Sequence, residues 1–260
     1  MNKTTISEIL SAHLLPKTLM ENLKPFFHKL DEKYLEEVEK TSEVRFENLL
    51  EADENEYYNA NVFKKIMNII SSFDRLEQAH IFIKRFRQSK LFLKQNITQD
   101  IWIEYHYSIH LLTIVSIMDL ALILTNEVYR IGLREKDCNY DTILKNYWIK
   151  DSQVAIVLKD LDKKVQNYRN PRNTLVHHGE SPKLNKILKS NLYDRLKLIT
   201  FAQHYSEDYN PPINLDYVYS MEVRDLLRIL QNECKSIEAL ILNLFDALLP
   251  VYIKNNRLSK

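Results

Sequence analysis

Two glycines in 260 residues, Gly132 and Gly179, constrain this chain more than any other feature. Glycine builds tight turns, hairpins and phosphate-cradling loops because it alone takes positive φ or close backbone approach at no steric cost. A Rossmann fingerprint, a P-loop or a kinase-type loop needs several within a short span, so the common nucleotide-fold enzymes are excluded. The remaining patterns are helical. Apolar residues recur at three- and four-residue steps over long stretches, and no segment reads convincingly as a strand, although Ile213 to Tyr219 could pair locally.

The first element is announced by Thr5-Ile6-Ser7-Glu8, a capping box ahead of Ile9 and Leu10. Pro16 and Pro25 are expected to break up the chain beyond it. Between Asp31 and Leu50 the chain is acidic, with a thin stripe of Leu35, Val38, Phe46, Leu49 and Leu50. Residues 1–55 therefore read as an N-terminal helical extension on a main helical bundle over 56–260. In that body, Phe63, Ile66, Met67, Ile70 and Phe73 start a helix near Asn59, and Ile81, Ile83, Phe86 and Leu91 carry it to about Lys94. Thr98 is expected to cap a second helix that runs to Gly132 and is apolar on nearly all sides, as a central bundle helix is. Val154, Ile156, Val157, Leu158, Leu161 and Val165 mark a third, ending near Tyr168 because Pro171 enforces a break. Ser181-Pro182 reads as a new helix start. A polar loop is expected over 205–216. Leu226, Leu230, Cys234, Ile237, Ile241, Leu244 and Leu248 then form a seam suited to bundle packing or to a dimer partner.

Cys138 and Cys234 are too few and too far apart for a disulfide framework or a zinc knuckle. They read as buried thiols, which fits a reducing cytoplasm. The N-terminus lacks a secretory apolar core. Leu111 to Leu124 is short of a membrane span and contains Asp119, so it reads as a core helix and no membrane association is expected. The net charge of +1 hides an asymmetry. Residues 1–60 hold seven Lys/Arg against thirteen Asp/Glu, whereas residues 145–200 hold twelve against five. A basic stretch is either a solvated helix face or a footprint for a polyanion.

Inside that basic stretch lies Arg169-Asn170-Pro171-Arg172-Asn173-Thr174-Leu175-Val176-His177-His178. Asn173 and His177, four apart, share a helical face. With a break at Pro171, Arg172 would reach them from the first turn of a new helix, whose N-terminus favours anions. Cleavage of RNA by its own 2′-hydroxyl needs a base, an acid and a cation on the phosphate. Histidine serves as base or acid near neutrality, arginine grips phosphate oxygens at two points, and no metal or other cofactor is required.

Arg172-Asn173-x-x-x-His177 resembles the motif of HEPN domains, an Arg separated by four to six residues from a His, in its form with Asn after the Arg. The segment Tyr129-Arg130-Ile131-Gly132-Leu133, closing the long helix before it, is also similar to bacterial HEPN proteins. The resemblance covers roughly residues 60–250. It implies an all-α, HEPN-like antiparallel bundle, a homodimer that brings two motifs together across a cleft, and metal-independent endoribonuclease activity in toxin–antitoxin, phage-defence or RNA-processing systems. It assigns Arg172 to phosphate binding, Asn173 to positioning and His177 to acid–base work, with His178 and Arg169 auxiliary. Gly179 stands two places after the His, where toxins silenced by a partner nucleotidyltransferase carry Tyr.

Each residue also has a structural reading. His177 could bond a carbonyl at a helix end, Arg172 could pair with Asp160 or Asp162, and Asn173 could be an N-cap. His106 and His110 have the spacing of paired zinc ligands, or are polar tips at a helix interface. Asp119 would be costly to bury unpaired and calls for a partner. Tyr57, Tyr58, Tyr105 and Tyr107 could stack bases or fill core. The alternative function is a non-catalytic HEPN-like module that binds RNA, nucleotide or a protein partner such as an antitoxin.

Overall fold

A computed structural model describes residues 4–41, 53–87, 89–181, 184, 188, 194, 198–199, 202 and 214–258. Among these there is no strand. The fold of the described residues is all-α. Among the described residues the helices with defined bounds are α1 (Ile6–Ser11), α2 (Leu14–Thr41), α3 (Glu54–Lys84), α4 (Lys90–Lys94), α5 (Gln99–Val128), α6 (Tyr140–Lys145), α7 (Gln153–His178) and α8 (Leu215–Leu258). Leu215 to Tyr219, where local strand pairing was conceivable, form the first turns of α8. Pro182, most of the polar loop at 205–216 and the side chains of the Leu35–Leu50 stripe lie outside the described residues.

The capping box at α1 is present in both halves, with Glu8 N donating to Thr5 Oγ1 at 3.2 Å and Thr5 N to Glu8 Oε2 at 2.7 Å. A second one starts α3 earlier than the apolar pattern indicates. Glu56 N donates to Asp53 Oδ1 at 2.7 Å and Asp53 N to Glu56 Oε2 at 3.0 Å. At its other end α3 stops at Lys84, and the apolar residues up to Leu91 belong to a loop and the short α4.

Three prolines sit inside helices: Pro25 in α2, Pro171 in α7 and Pro250 in α8. The expected breaks at Pro25 and Pro171 do not occur. All three rings are exposed, and so are Glu21, Asn167 and Asp246, whose carbonyls lose the helical N–H. A carbonyl on an exposed helix face can bond water in place of the missing N–H, which reduces the penalty of an interior proline from its usual ~3 kcal/mol. Pro16 lies in the first turn of α2, where no helical N–H bond is forfeited.

The chain divides into two compact units, and α3, α5, α7 and α8 each contribute a segment to both. The first unit comprises residues 1–71, 117–162 and 238–260. The division thus runs through the long helices. Tyr252 Oη donates to Asn59 Oδ1 at 2.8 Å and accepts from Asn22 Nδ2 at 2.7 Å, while Tyr58 Oη and Asn255 Nδ2 both donate to Val128 O. That network fixes the C-terminus of α5. The helix ends at Val128 in a Schellman arrangement, with Ile131 N bonded to Asn126 O at 3.0 Å and Arg130 N to Glu127 O at 3.0 Å. Its left-handed residue is Arg130 (φ 52), two places before the expected Gly132. The Arg130 guanidinium lies 4.1 Å over the Tyr58 ring and pairs with Glu54 at 3.1 Å, contacts that offset the backbone strain.

The second unit comprises residues 72–116 and 163–237. Its core gathers Ile83, Ile103, Tyr107, Leu111, Leu184, Tyr219, Val223, Leu226, Leu227 and Leu230. The whole α8 seam from Leu226 to Leu248 is buried within the chain, which makes it core and not a free dimer face. Asp119 lies on an exposed stripe of α5 with Leu112 and Ser116, so the burial cost foreseen for it does not arise. By length and composition α5 and residues 217–256 of α8 would suffice to cross a membrane, contrary to the shorter Leu111–Leu124 estimate. In α5 most of that apolar window is buried, as a core helix requires.

Candidate functional site

Because α7 continues through Pro171, the motif occupies the last two turns of a 26-residue helix and not the start of a new one. Its end is set by Gly179, at φ +66, whose N–H bonds Leu175 O at 3.2 Å. Glycine there is a left-handed helix stop. The expected anion-binding helix N-terminus is therefore absent: this end of a helix carries partial negative charge and attracts cations.

Arg172, half-buried, donates from Nη1 to Asn173 Oδ1 at 3.0 Å. Asn173 is thus an interior helical residue that steadies the guanidinium, not an N-cap. Asp160 and Asp162 belong to the same continuous helix, and the partner the structure gives Arg172 is Asn173. Asn173 and His177 are both exposed and stand four residues apart on one helical face. Arg172, five residues from His177, is roughly 140° away around the helix axis, so only its long, flexible side chain can bring its charge toward the imidazole. Arg169, half-buried, is one turn before Arg172, and His178 is exposed beside His177. Arg172 and Asn173 are joined directly, whereas His177 and His178 stay open to solvent at the helix end.

The other histidines are arranged differently from their spacing. His106 and His110 do not share a site. His106 lies in an aromatic nest, 4.9 Å from the Phe82 ring and 4.5 Å from Trp102. His110 instead faces His80 of α3, with His80 Nε2 and His110 Nδ1 3.1 Å apart. Burial pushes the His80 imidazole down to about 4, and burial followed by the charge of His80 holds His110 well below the usual range. Both rings are therefore neutral near pH 7. One of them supplies the proton of their hydrogen bond, and His110 Nε2 is left buried with no hydrogen-bond partner among the described residues. Such an orphan costs on the order of 1–3 kcal/mol.

Cys234 of α8 completes this group. The donor atoms of His80, His110 and Cys234 all lie within 4.8 Å of one another, and all three residues are buried. Beside them Tyr168 meets His110 edge-on at 6.3 Å. Burial, then the charge of Glu233, keeps the Tyr168 hydroxyl protonated. Glu233 in turn pairs with Lys164 at 3.0 Å. No sequence pattern announces this cluster, since its members are spread over three helices. Tyr58 and Tyr107 are core residues, whereas Tyr57 and Tyr105 are largely exposed.

The family model described as HEPN_Cthe2314-like HEPN matches residues 66–244, from α3 through most of α8 and across the whole motif. That is well over half of the chain, and the chain belongs to this HEPN family. No curated protein and no solved structure matches it significantly.

Proposed function

We propose that this HEPN protein is a metal-independent endoribonuclease that cleaves RNA by attack of the 2′-hydroxyl. The observation that carries the reading is the Arg172–Asn173 pair at the exposed end of α7, with His177 four residues on along the face of Asn173. His177 takes the proton of the 2′-hydroxyl, whose oxygen attacks phosphorus. Arg172 holds the non-bridging oxygens as charge accumulates there. The bond from phosphorus to the 5′-oxygen breaks, and a protonated imidazole returns a proton to that oxygen. The products are a 2′,3′-cyclic phosphate and a 5′-hydroxyl.

One His177 cannot be base and acid in the same step. The second imidazole comes from His177 of another copy in a homodimer, with His178 and Arg169 in auxiliary roles. The basic balance of residues 145–200 attracts RNA to this end of α7. Two reduced, buried cysteines suit a cytoplasmic protein. Control by a neighbouring-gene partner such as an antitoxin belongs to the same reading, but by a route that does not use Tyr at position 179.

Single-residue variants and the mass in solution test both parts. If two motifs act together, Arg172→Ala and His177→Ala homodimers are each inactive, and light scattering gives twice the chain mass. A monomer with no cleavage would support a second reading, a helical module that binds RNA, nucleotide or protein. The solvent exposure of His177 is the observation favouring that alternative.

A further inference from the structure

We propose that His80, His110 and Cys234 form a structural binding site for one zinc-type ion in the second compact unit, separate from the RNA-cleaving motif. The site joins α3, α5 and α8, and its three donor atoms lie within 4.8 Å of one another. Two imidazoles and one thiol are a donor set suited to a borderline-soft, late transition ion and ill-suited to magnesium or calcium.

The geometry is already close to what such an ion needs. With zinc–nitrogen bonds of ~2.0 Å, two nitrogens at the corners of a tetrahedron stand ~3.3 Å apart. His80 Nε2 and His110 Nδ1 are 3.1 Å apart. A tetrahedral ion with a zinc–sulfur distance of ~2.3 Å holds its sulfur ~3.5 Å from each nitrogen, and the three donor atoms here lie within 4.8 Å of one another.

Binding converts the Cys234 thiol to thiolate and releases its proton to solvent. Burial of all three ligands, at 7%, 0% and 2% exposure, closes the site to substrate and makes its role structural. The ion ties together three helices of the unit that also carries the motif, without touching RNA. The proposal does not depend on ribonuclease activity.

Because the site is closed, the ion is best introduced during synthesis. The full-length protein is expressed in minimal medium supplemented with Co²⁺ and purified without chelator. About one cobalt per chain is expected, with a thiolate-to-cobalt charge-transfer band in the near ultraviolet. The band should survive in Cys138→Ser and vanish in Cys234→Ser. Its absence from the wild-type protein, its loss in Cys138→Ser, or its persistence in Cys234→Ser would each overturn the proposal. X-ray absorption on zinc-loaded wild-type protein gives a readout that needs no variant to fold. One sulfur and at least two nitrogens around the metal support the site, and a shell without sulfur refutes it.

Discussion

Replacing Pro171 with alanine isolates what the continuous α7 implies. Proline in a helix interior costs ~3 kcal/mol relative to alanine through the missing N–H and the clash with the carbonyl four residues earlier. Here that carbonyl belongs to Asn167, exposed like Pro171 itself, so water already recovers part of the loss. Alanine also frees the unfolded chain, which takes back ~0.4–1 kcal/mol. The net expectation for Pro171→Ala is a gain of about 1–2 kcal/mol, which for a chain of this size raises Tm by roughly 2–8 °C. The assay is urea unfolding followed by far-ultraviolet circular dichroism, with a thermal scan alongside. The helical signal of the native state should stay within error of wild type, because α7 is already continuous. A large rise in helicity, or a drop in the urea midpoint, would refute the reasoning, since either would mean that the segment from Arg172 to His178 is a separate helix started by the proline.

Three further outcomes rest on local geometry. Arg130→Ala keeps the left-handed backbone but loses the stacking on Tyr58, and should cost about 1 kcal/mol. Arg130→Gly relieves the backbone as it loses the same contact, so its urea midpoint should lie above that of Arg130→Ala. Gly179→Ala puts a side chain at φ +66 with open space around it, so the penalty is conformational. About 1 kcal/mol is expected, seen as faster amide exchange over the last turn of α7. Lys65→Met addresses pH dependence. The hydrogen bond from the Lys65 ammonium, then its charge, holds the Glu135 carboxyl below its usual range. A depressed folded-state carboxylate contributes stability above pH ~4.5 and loses it as the pH falls further. Urea midpoints at pH 6 and pH 3.5 should therefore differ less in Lys65→Met than in wild type. An unchanged difference would remove Glu135 from the account.

Periodicity made the long helices legible in the sequence, because their buried positions recur without interruption. Every residue of the Leu226–Leu248 seam is buried, as are Ile66, Ile70 and Phe73 of α3 and Val154, Val157, Leu158, Leu161 and Val165 of α7. Helix ends were less legible, for two physical reasons. An interior proline is better tolerated where the freed carbonyl lies on an exposed face, and Glu21, Asn167 and Asp246 are all exposed. A left-handed stop usually demands glycine, but at Arg130 the contacts with Tyr58 and Glu54 compensate, and those depend on tertiary structure.

The candidate site was legible as composition and spacing, and the family match spans it. Its setting was not, because the helix end it occupies depends on Pro171 being tolerated. His80, His110 and Cys234 could not be paired from sequence at all, since 154 positions separate the outer two and only folding brings them together.

The acid–base role proposed for His177 would be written in the chemical identity of the cleaved RNA ends. A defined RNA is incubated briefly in EDTA with wild-type protein or with His177→Ala, and the product termini are determined by mass spectrometry. Wild type should leave 2′,3′-cyclic phosphate and 5′-hydroxyl ends, and the variant should lose cleavage on the order of a hundredfold or more. Equal cleavage by His177→Ala, or products ending in 3′-hydroxyl and 5′-phosphate, would contradict it.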